Sequence, residues 1–481
     1  MLWLAPSRIS VREPRHDPPA PCLPAPQESA LSPAVDTPPP GRTHTPEKSS
    51  AVEPFTRFHL RVTATTFGAN FSDGYALGVI GAALPILDTT MGLSGLWSGL
   101  LGASALIGLF LGSVLLGSVA DRIGRQRLYL YNFILITIAS ALQMWATDPA
   151  ALFALRLLIG FGLGADYAVG PTLLSEFAPQ RLRGLLLGSL TVLWTVGYVA
   201  ANIFGALVPE TDEAAHLLLA SGSLPALLVL LLRIGIPESP SWLATQGRFA
   251  EAAAIRRKFL KQDIAPDAVP QTPAQPAPTV RYRELFAPGQ ATKTWFGIIF
   301  YSAQVLPYFA IYTFTAQILG TLNIGDTTAQ NIVIDVALLL GGVLGLWPMM
   351  RMGRRPFTVH SFLILAVALG AMAVLSSAGS WALMIPFVVY TFVMAGASNI
   401  TQVYPAELFP TALRASGVGL LNGSSRIASA LGTFLLPVSL DALGVGWTMG
   451  WMTLVLLAGW AVSLAWAPET RDTLTAEEWA H

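Results

Sequence analysis

Twelve apolar runs, each roughly the 20 residues needed to cross the hydrocarbon of a bilayer, decide what this chain can become. They lie near 60–86, 94–119, 128–146, 150–173, 184–207 and 214–236, then 294–319, 327–350, 357–377, 381–404, 415–438 and 444–467. In lipid, every backbone N–H and C=O must be paired inside the protein, and runs of this length do so as α-helices. The expectation is an all-α membrane protein with twelve transmembrane helices. Composition agrees: of 481 residues, 53% are hydrophobic and 12% charged, outside the range of an ordinary soluble domain. A net charge of zero and the lack of a basic stripe with interleaved aromatics argue against nucleic-acid binding. The single cysteine, Cys22, cannot form an intrachain disulfide, and no metal-ligand cluster or cofactor motif stands out.

The spans divide as six plus six, and the halves repeat one another. Glu176, Pro179 and Arg183 return as Glu407, Pro410 and Arg414, each 231 residues later, and Pro237-Glu238-Ser239 returns as Pro468-Glu469-Thr470 at the same offset. Such a repeat predicts two pseudo-symmetric six-helix modules, a known transporter plan. Alternate loops carry the basic residues: Arg122, Arg125, Arg127, Arg181, Arg183, Arg351, Arg354, Arg355 and Arg414 lie on one face, and the loops of the other face contain no Lys or Arg. By the positive-inside rule the basic face and both termini are cytoplasmic.

Five segments follow: a Pro-rich tail at 1–54 expected to be disordered, with Val52 one place where a shorter protein can begin, a six-helix half at 55–236, a linker at 237–293, a second half at 294–467, and a tail at 468–481. The linker holds an amphipathic basic helix over Arg248–Lys261 and a Pro- and Ala-rich stretch over Ala265–Pro278. Gly160, Gly162 and Gly164 lie inside a membrane helix rather than after a strand, so they are not a dinucleotide site, and nothing points to an enzyme.

The loop Gly117, Asp121, Arg122, Gly124, Arg125 and Arg127 resembles the G-x3-D-R-x-G-R-x-R loop of the major facilitator superfamily, where such a network latches the outward-facing state. Its second copy keeps Arg351, Gly353, Arg354 and Arg355 but has Met350 in place of the Asp. Leu158, Gly160, Phe161 and Gly164, followed by Leu173, Glu176 and Arg183, fit the sugar-porter pattern, as do Pro237 to Leu243 and Tyr404, Glu407, Leu408, Phe409 and Pro410. Asp166 with Tyr167, the Gln304 to Tyr312 stretch, and Ser425 with Arg426 resemble metabolite–proton symporters. The resemblance implies the major facilitator fold and carriage of a small molecule. It places Tyr167 and Gln304 at ligand positions and Arg156 opposite a first-helix carboxylate. Glu176 and Glu407 sit at cytoplasmic helix ends with basic residues after them and are read as members of gating salt bridges, so that Arg183, Arg354, Arg355 and Arg414 join the loop residues Gly117, Asp121, Arg122, Gly124 and Arg125 as gating positions. Gln402 stands where many sugar porters have Trp, and Ile299 where phosphate porters have Asp.

Charges inside apolar spans are costly and mark functional candidates. Asp73 sits mid-span; proton-coupled sugar porters carry their Asp one turn later, at the position of Ala76. Asp73 is read either as a proton carrier with Arg156 as partner or as a structural pair member, and Asp166 either as a second relay carboxylate or as a salt-bridge residue. Arg426 offers a docking point for a carboxylate or phosphate, or a partner for Asp335, which is grouped with Asp73, Arg156 and Asp166 in proton coupling. Tyr75, Tyr167, Gln304, Tyr308, Tyr312, Asn399, Gln402 and Asn422 are the expected cavity-lining residues beside Arg426.

The expected function is proton-coupled symport of an organic acid or sugar-like metabolite by alternating access, with facilitative uniport or a non-transporting nutrient receptor of the same fold as alternatives. Expected partners are a small-molecule substrate, protons and the lipid bilayer, with no cofactor or metal, in a monomer spanning the cytoplasmic membrane.

Overall fold

The computed structural model describes residues 55–209, 211–260, 282–321, 327–377 and 380–470. The 1–54 tail, the linker stretch 265–278 and the end of the C-terminal tail lie outside the described residues. No strand occurs among the described residues, and eleven helical stretches are long and apolar enough to cross a bilayer.

The first half comprises α1 (Arg57–Met91), α2 (Gly95–Ile123), α3 (Arg125–Leu142), α4 (Pro149–Phe177), α5 (Gln180–Leu207), and a sixth span broken into α6 (Asp212–Ala220) and α7 (Ser223–Arg233). Short α8 (Pro240–Thr245) and α9 (Phe249–Ile255) follow, and a π-helical turn at Arg256–Leu260 continues the basic segment. The second half comprises α10 (Ala291–Thr313), α11 (Thr315–Thr321), α12 (Thr327–Leu344), α13 (Leu346–Arg351), α14 (Arg354–Val374), α15 (Ser380–Ser398), α16 (Ile400–Glu407) and α17 (Thr411–Trp466).

The helix starts follow from their caps. Thr56 accepts from the His59 N–H while His59 Nδ1 accepts from the Thr56 N–H, a reciprocal box that satisfies two otherwise orphaned donors at the start of α1. The Asp148 carboxylate accepts from the N–H groups of Ala150 and Ala151 at 3.0 and 3.1 Å, with Pro149 in the first helical position, where its missing N–H costs nothing.

α17 reconciles eleven stretches with twelve expected spans. Its apolar part covers 51 residues, which as a straight helix would be about 76 Å long, more than twice the hydrocarbon thickness. Gly444 breaks it with φ 74°, a left-handed conformation that glycine adopts without a Cβ penalty. Beyond that break Trp451 Nε1 donates to Ser439 Oγ at 3.4 Å, although the two are 12 residues apart. A straight helix would separate them by about 18 Å, so the chain turns back as a hairpin of two spans.

Within the first half α2 packs on α4 and α1 on α5; across the halves α2 packs on α17, α5 on α12, and α1 on α10. The α1–α5 approach is close because Gly74 faces the Trp194 carbonyl and Gly197 faces that of Phe71, leaving no room for a Cβ at either position. The outer surface stays apolar, with Leu207, Val374 and Trp447 among its exposed residues, as contact with lipid tails requires.

Candidate functional site

The packing of α5 against α10 and α12 leaves two cavities on opposite sides of an aromatic septum. The first, of about 390 Å³, lies toward the basic face and is lined by residues of α1, α4, α5, α10, α15, α16 and α17. The second, of about 350 Å³, lies toward the base-poor face. Between them Trp194 stacks on Tyr198 with ring centroids 5.8 Å apart, Tyr308 meets Tyr312 edge-on at 4.6 Å, and Tyr198 meets Tyr312 at 6.1 Å. Trp194 and Tyr308 belong to the first cavity, Tyr198 and Tyr312 to the second. The spacing Trp194-x3-Tyr198 and Tyr308-x3-Tyr312 puts each pair on one helix face, so the septum is built from one ridge of α5 and one of α10.

Of the residues expected to line a cavity, Tyr167, Gln304, Tyr308, Gln402 and Arg426 do line the first one. The others lie elsewhere. Tyr75 hydrogen-bonds with Ser221 Oγ at 2.6 Å, Asn399 Nδ2 donates to the Gly342 carbonyl at 2.8 Å, and Tyr312 donates to the Thr391 carbonyl and borders the second cavity. Asn422, one turn before Arg426 on α17, is outside the lining set. Tyr75, Asn399 and Tyr312 thus spend their polar atoms on helix packing, since a buried donor in a membrane bundle needs a partner inside the protein. Asn70, Thr191, Trp194 and Tyr301 complete the wall and escape sequence reasoning, because polar and aromatic residues in an apolar span carry no sign of which way they face.

Arg426 is the cation of the first cavity. Its guanidinium carbon lies 5.0 Å from the Tyr167 ring centroid and 5.9 Å from that of Phe309. Rings on a guanidinium face leave its in-plane N–H groups available to a planar anion. No carboxylate pairs with Arg426 among the described residues. Asp335, the acid that the sequence offered as its partner, instead borders the second cavity and accepts from Asn202 Nδ2 at 2.9 Å.

The buried charges pair differently from the expectation. Arg156 does not meet Asp73: its Nε donates to the Leu101 carbonyl and its second terminal nitrogen to the Ala76 carbonyl, both at 3.4 Å. The guanidinium thus reaches the position where the resemblance expects an Asp, and backbone oxygen takes the place of the carboxylate. Asp166 pairs with Arg233 at the end of α7, both within 2% of full burial. Arg233 also donates to the Tyr129 carbonyl at 2.5 Å and to Asn132 Oδ1 at 3.0 Å, with its guanidinium carbon 3.3 Å from the Tyr129 ring centroid and 4.0 Å from that of Phe133. Sequence reasoning passes over Arg233 because an arginine at the end of an apolar run looks like a headgroup anchor. Asp73 is 1% exposed, and its Oδ1 makes no hydrogen bond.

At the basic face the two halves carry the same network twice. Glu176 pairs with Arg125 at 2.5 Å and accepts from Ser239 Oγ, while Glu238 accepts from the Gln126 N–H at 2.9 Å. Glu407 takes Arg354 in two bonds of 3.1 and 3.2 Å and accepts from Thr470 Oγ1, while Glu469 accepts from the N–H groups of Arg354 and Arg355. The two glutamates therefore bind basic residues of the preceding loop. Arg183 and Arg414, the basic residues after them, are half-buried with Nε unbonded. Arg122 is exposed, Gly124 takes φ 103° at the turn between α2 and α3, and Arg355 donates to the Leu464 carbonyl at 2.9 Å. Gly117 and Asp121 lie in α2, and their side chains are outside the described set.

Comparison with known proteins accords with this architecture. The family model described as "Sugar (and other) transporter" matches residues 61–478. The inner membrane metabolite transport protein YgcS of Escherichia coli is 44% identical over 419 residues, 87% of this chain and 93% of that protein. The niacin transporter NiaP of Acinetobacter baylyi is 27% identical, covering 78% of this chain and 85% of its own, and the 4-hydroxybenzoate transporter PcaK of Pseudomonas aeruginosa is 29% identical, covering 79% and 86%. In fold, the chain is similar to the xylose transporter XylE of E. coli in a partially occluded inward-open conformation, with TM-score 0.73 at 20% identity over 86% of this chain and 99% of that one. A twelve-span bundle, a duplicated charge network at one face and a family match over nearly the whole membrane domain make this chain a multi-pass membrane transporter of the sugar (and other) transporter family, within the major facilitator superfamily.

Proposed function

We propose that the protein is a proton-coupled symporter of small organic acids, working by alternating access about the septum. The observation that carries this reading is Arg426: a cation with no carboxylate partner among the described residues, held on aromatic faces in a cavity of about 390 Å³. A guanidinium in that setting binds a carboxylate through two parallel N–H bonds, and the surrounding rings favour a flat body behind it. Gln304 on α10 and Gln402 on α16 supply further hydrogen bonds from the same cavity wall. Two relatives whose names specify a cargo, niacin and 4-hydroxybenzoate, specify aromatic carboxylates. Asp73 is the proton-carrying group in this reading, and Asp335 faces the second cavity as a second acidic group. In this reading the basic face is cytoplasmic, which its arginines support, the septum closes the far side, and the protein works as a monomer.

One observation favours a second reading, facilitative transport of an uncharged metabolite. Ala76 occupies the position of the sugar-porter Asp, and Arg156 is satisfied there by backbone carbonyls. The test is proton entry into proteoliposomes holding a pH-sensitive dye while benzoate, nicotinate, short carboxylates, sugars or polyols are added outside. A proton signal confined to carboxylates supports symport of organic acids. Radiolabelled sugar uptake with no proton signal supports the second reading.

A further inference from the structure

The second cavity carries a charge that the chain itself does not match. Its walls come from α1 and α5 of the first half and from α10, α11 and α12 of the second. Asp335 is the acid of this cavity. It is 6% exposed, lies in the α12 wall and, among the described residues, accepts one hydrogen bond, from Asn202 Nδ2 at 2.9 Å. An amide donor is a dipole and does not cancel the carboxylate's charge, which is costly to bury without an opposite charge beside it. No basic side chain pairs with Asp335 among the described residues. The sequence offers none nearby either. Residues 81–91, 198–208 and 312–344, which include all of the lining residues, contain no Lys, Arg or His.

The rest of the cavity suits an organic cation better than a metal ion. A volume of about 350 Å³ is that of a small-molecule pocket, and Tyr198 and Tyr312 bring aromatic surface to its septum end. Aromatic faces attract ammonium groups, while Asn331 and Thr89 offer side-chain oxygens to N–H donors. A hard metal ion takes roughly six or more oxygen ligands, and no group of three His, Cys, Asp or Glu able to hold one occurs among the described residues. We infer that this cavity binds a small organic ammonium ion, whose charge balances Asp335 and whose apolar body lies against Tyr198 and Tyr312. The cavity of Arg426 has the opposite sign and lies across the septum. The ammonium site is therefore separate from the one proposed for organic acids and stands without it. Because α5 and α12 belong to different halves, a cation held between them favours the state in which the two are together.

The test is calorimetric titration of the purified full-length chain in detergent at neutral pH. The probes are benzylamine, which is protonated there, and benzyl alcohol, its neutral counterpart, with melting curves recorded for both. Benzylamine should bind at least tenfold more tightly than the alcohol and raise the melting temperature, as a ligand of the folded state does. Asp335→Asn should lose at least tenfold in benzylamine affinity. Ala316→Leu, which fills part of the cavity and leaves Asp335 in place, should lose a comparable factor. Arg426→Gln should bind benzylamine as the unaltered protein does. No benzylamine binding, equal affinity for the alcohol, or affinity undiminished in either folded cavity variant overturns the inference. An equal rise in melting temperature from sodium ion alone would assign the carboxylate to an alkali cation and also overturn it.

Discussion

Arg233 and Asp166 form an ion pair between α7 and α4 that is almost wholly withdrawn from solvent, enclosed by Asn132 and the rings of Tyr129 and Phe133. Removing one member of such a pair leaves an uncompensated buried charge, which typically costs about 3–5 kcal/mol, whereas removing both costs far less. Asp166→Asn and Arg233→Gln should each lower thermal stability in detergent sharply, and the double variant should recover most of the loss. A double-mutant cycle by thermal unfolding checks this, and additive losses would mean that the two groups act independently.

Arg426→Lys keeps the charge but loses the planar fork and its fit to the aromatic faces. With hydrogen bonds to charged groups worth about 1.5–3 kcal/mol, aromatic-acid affinity should fall by roughly one to two orders of magnitude while the protein remains folded. Equilibrium binding of 4-hydroxybenzoate alongside a melting curve separates the two effects.

Gly74→Val places side-chain atoms against the Trp194 carbonyl where the backbones of α1 and α5 touch. Overpacking of this kind costs about 1–3 kcal/mol, and here it also forces apart the helix carrying Asp73 and the helix carrying the septum. Reduced yield of folded protein and a lower melting temperature are expected, with Gly188→Ala, whose added Cβ meets nothing within 4 Å, as the control for stability.

Arg125→Gln and Arg354→Gln remove equivalent bonds from the duplicated network, but among the described residues Arg354 makes two bonds to Glu407 and one to the Met349 carbonyl, while Arg125 makes one short bond to Glu176. The Arg354 change should therefore be the more damaging for transport rate. Initial rates in proteoliposomes at matched protein amounts decide it; equal losses would show that pairing geometry is not what matters.

The spans are legible in the sequence because hydropathy over about 20 residues integrates many side chains, and the second-half network is legible because duplication repeats Glu176 as Glu407 and Pro237 as Pro468. The partners are not. Glu238 and Glu469 accept from backbone N–H groups, which nearly every residue possesses, so no side-chain pattern announces them. The pairing of Asp166 with Arg233 rather than with a first-helix group depends on how α3, α4 and α7 rotate against one another, and a strongly apolar helix gives little sign of its rotation. Tyr167 and Gln304 line the first cavity, whereas Tyr75 and Asn399 are turned aside by helix-to-helix hydrogen bonds.

Tyr198 and Asn202 stand one turn apart on α5, and each makes a polar bond to the other half, to the Tyr312 carbonyl at 2.5 Å and to Asp335 at 2.9 Å. Two such bonds at about 0.5–1.5 kcal/mol apiece hold the far side shut with about 1–3 kcal/mol. That sum corresponds to a preference of about 5- to 150-fold. A difference of that size between two states would leave the minor one measurably populated, so that cargo could select an existing state rather than force one into being.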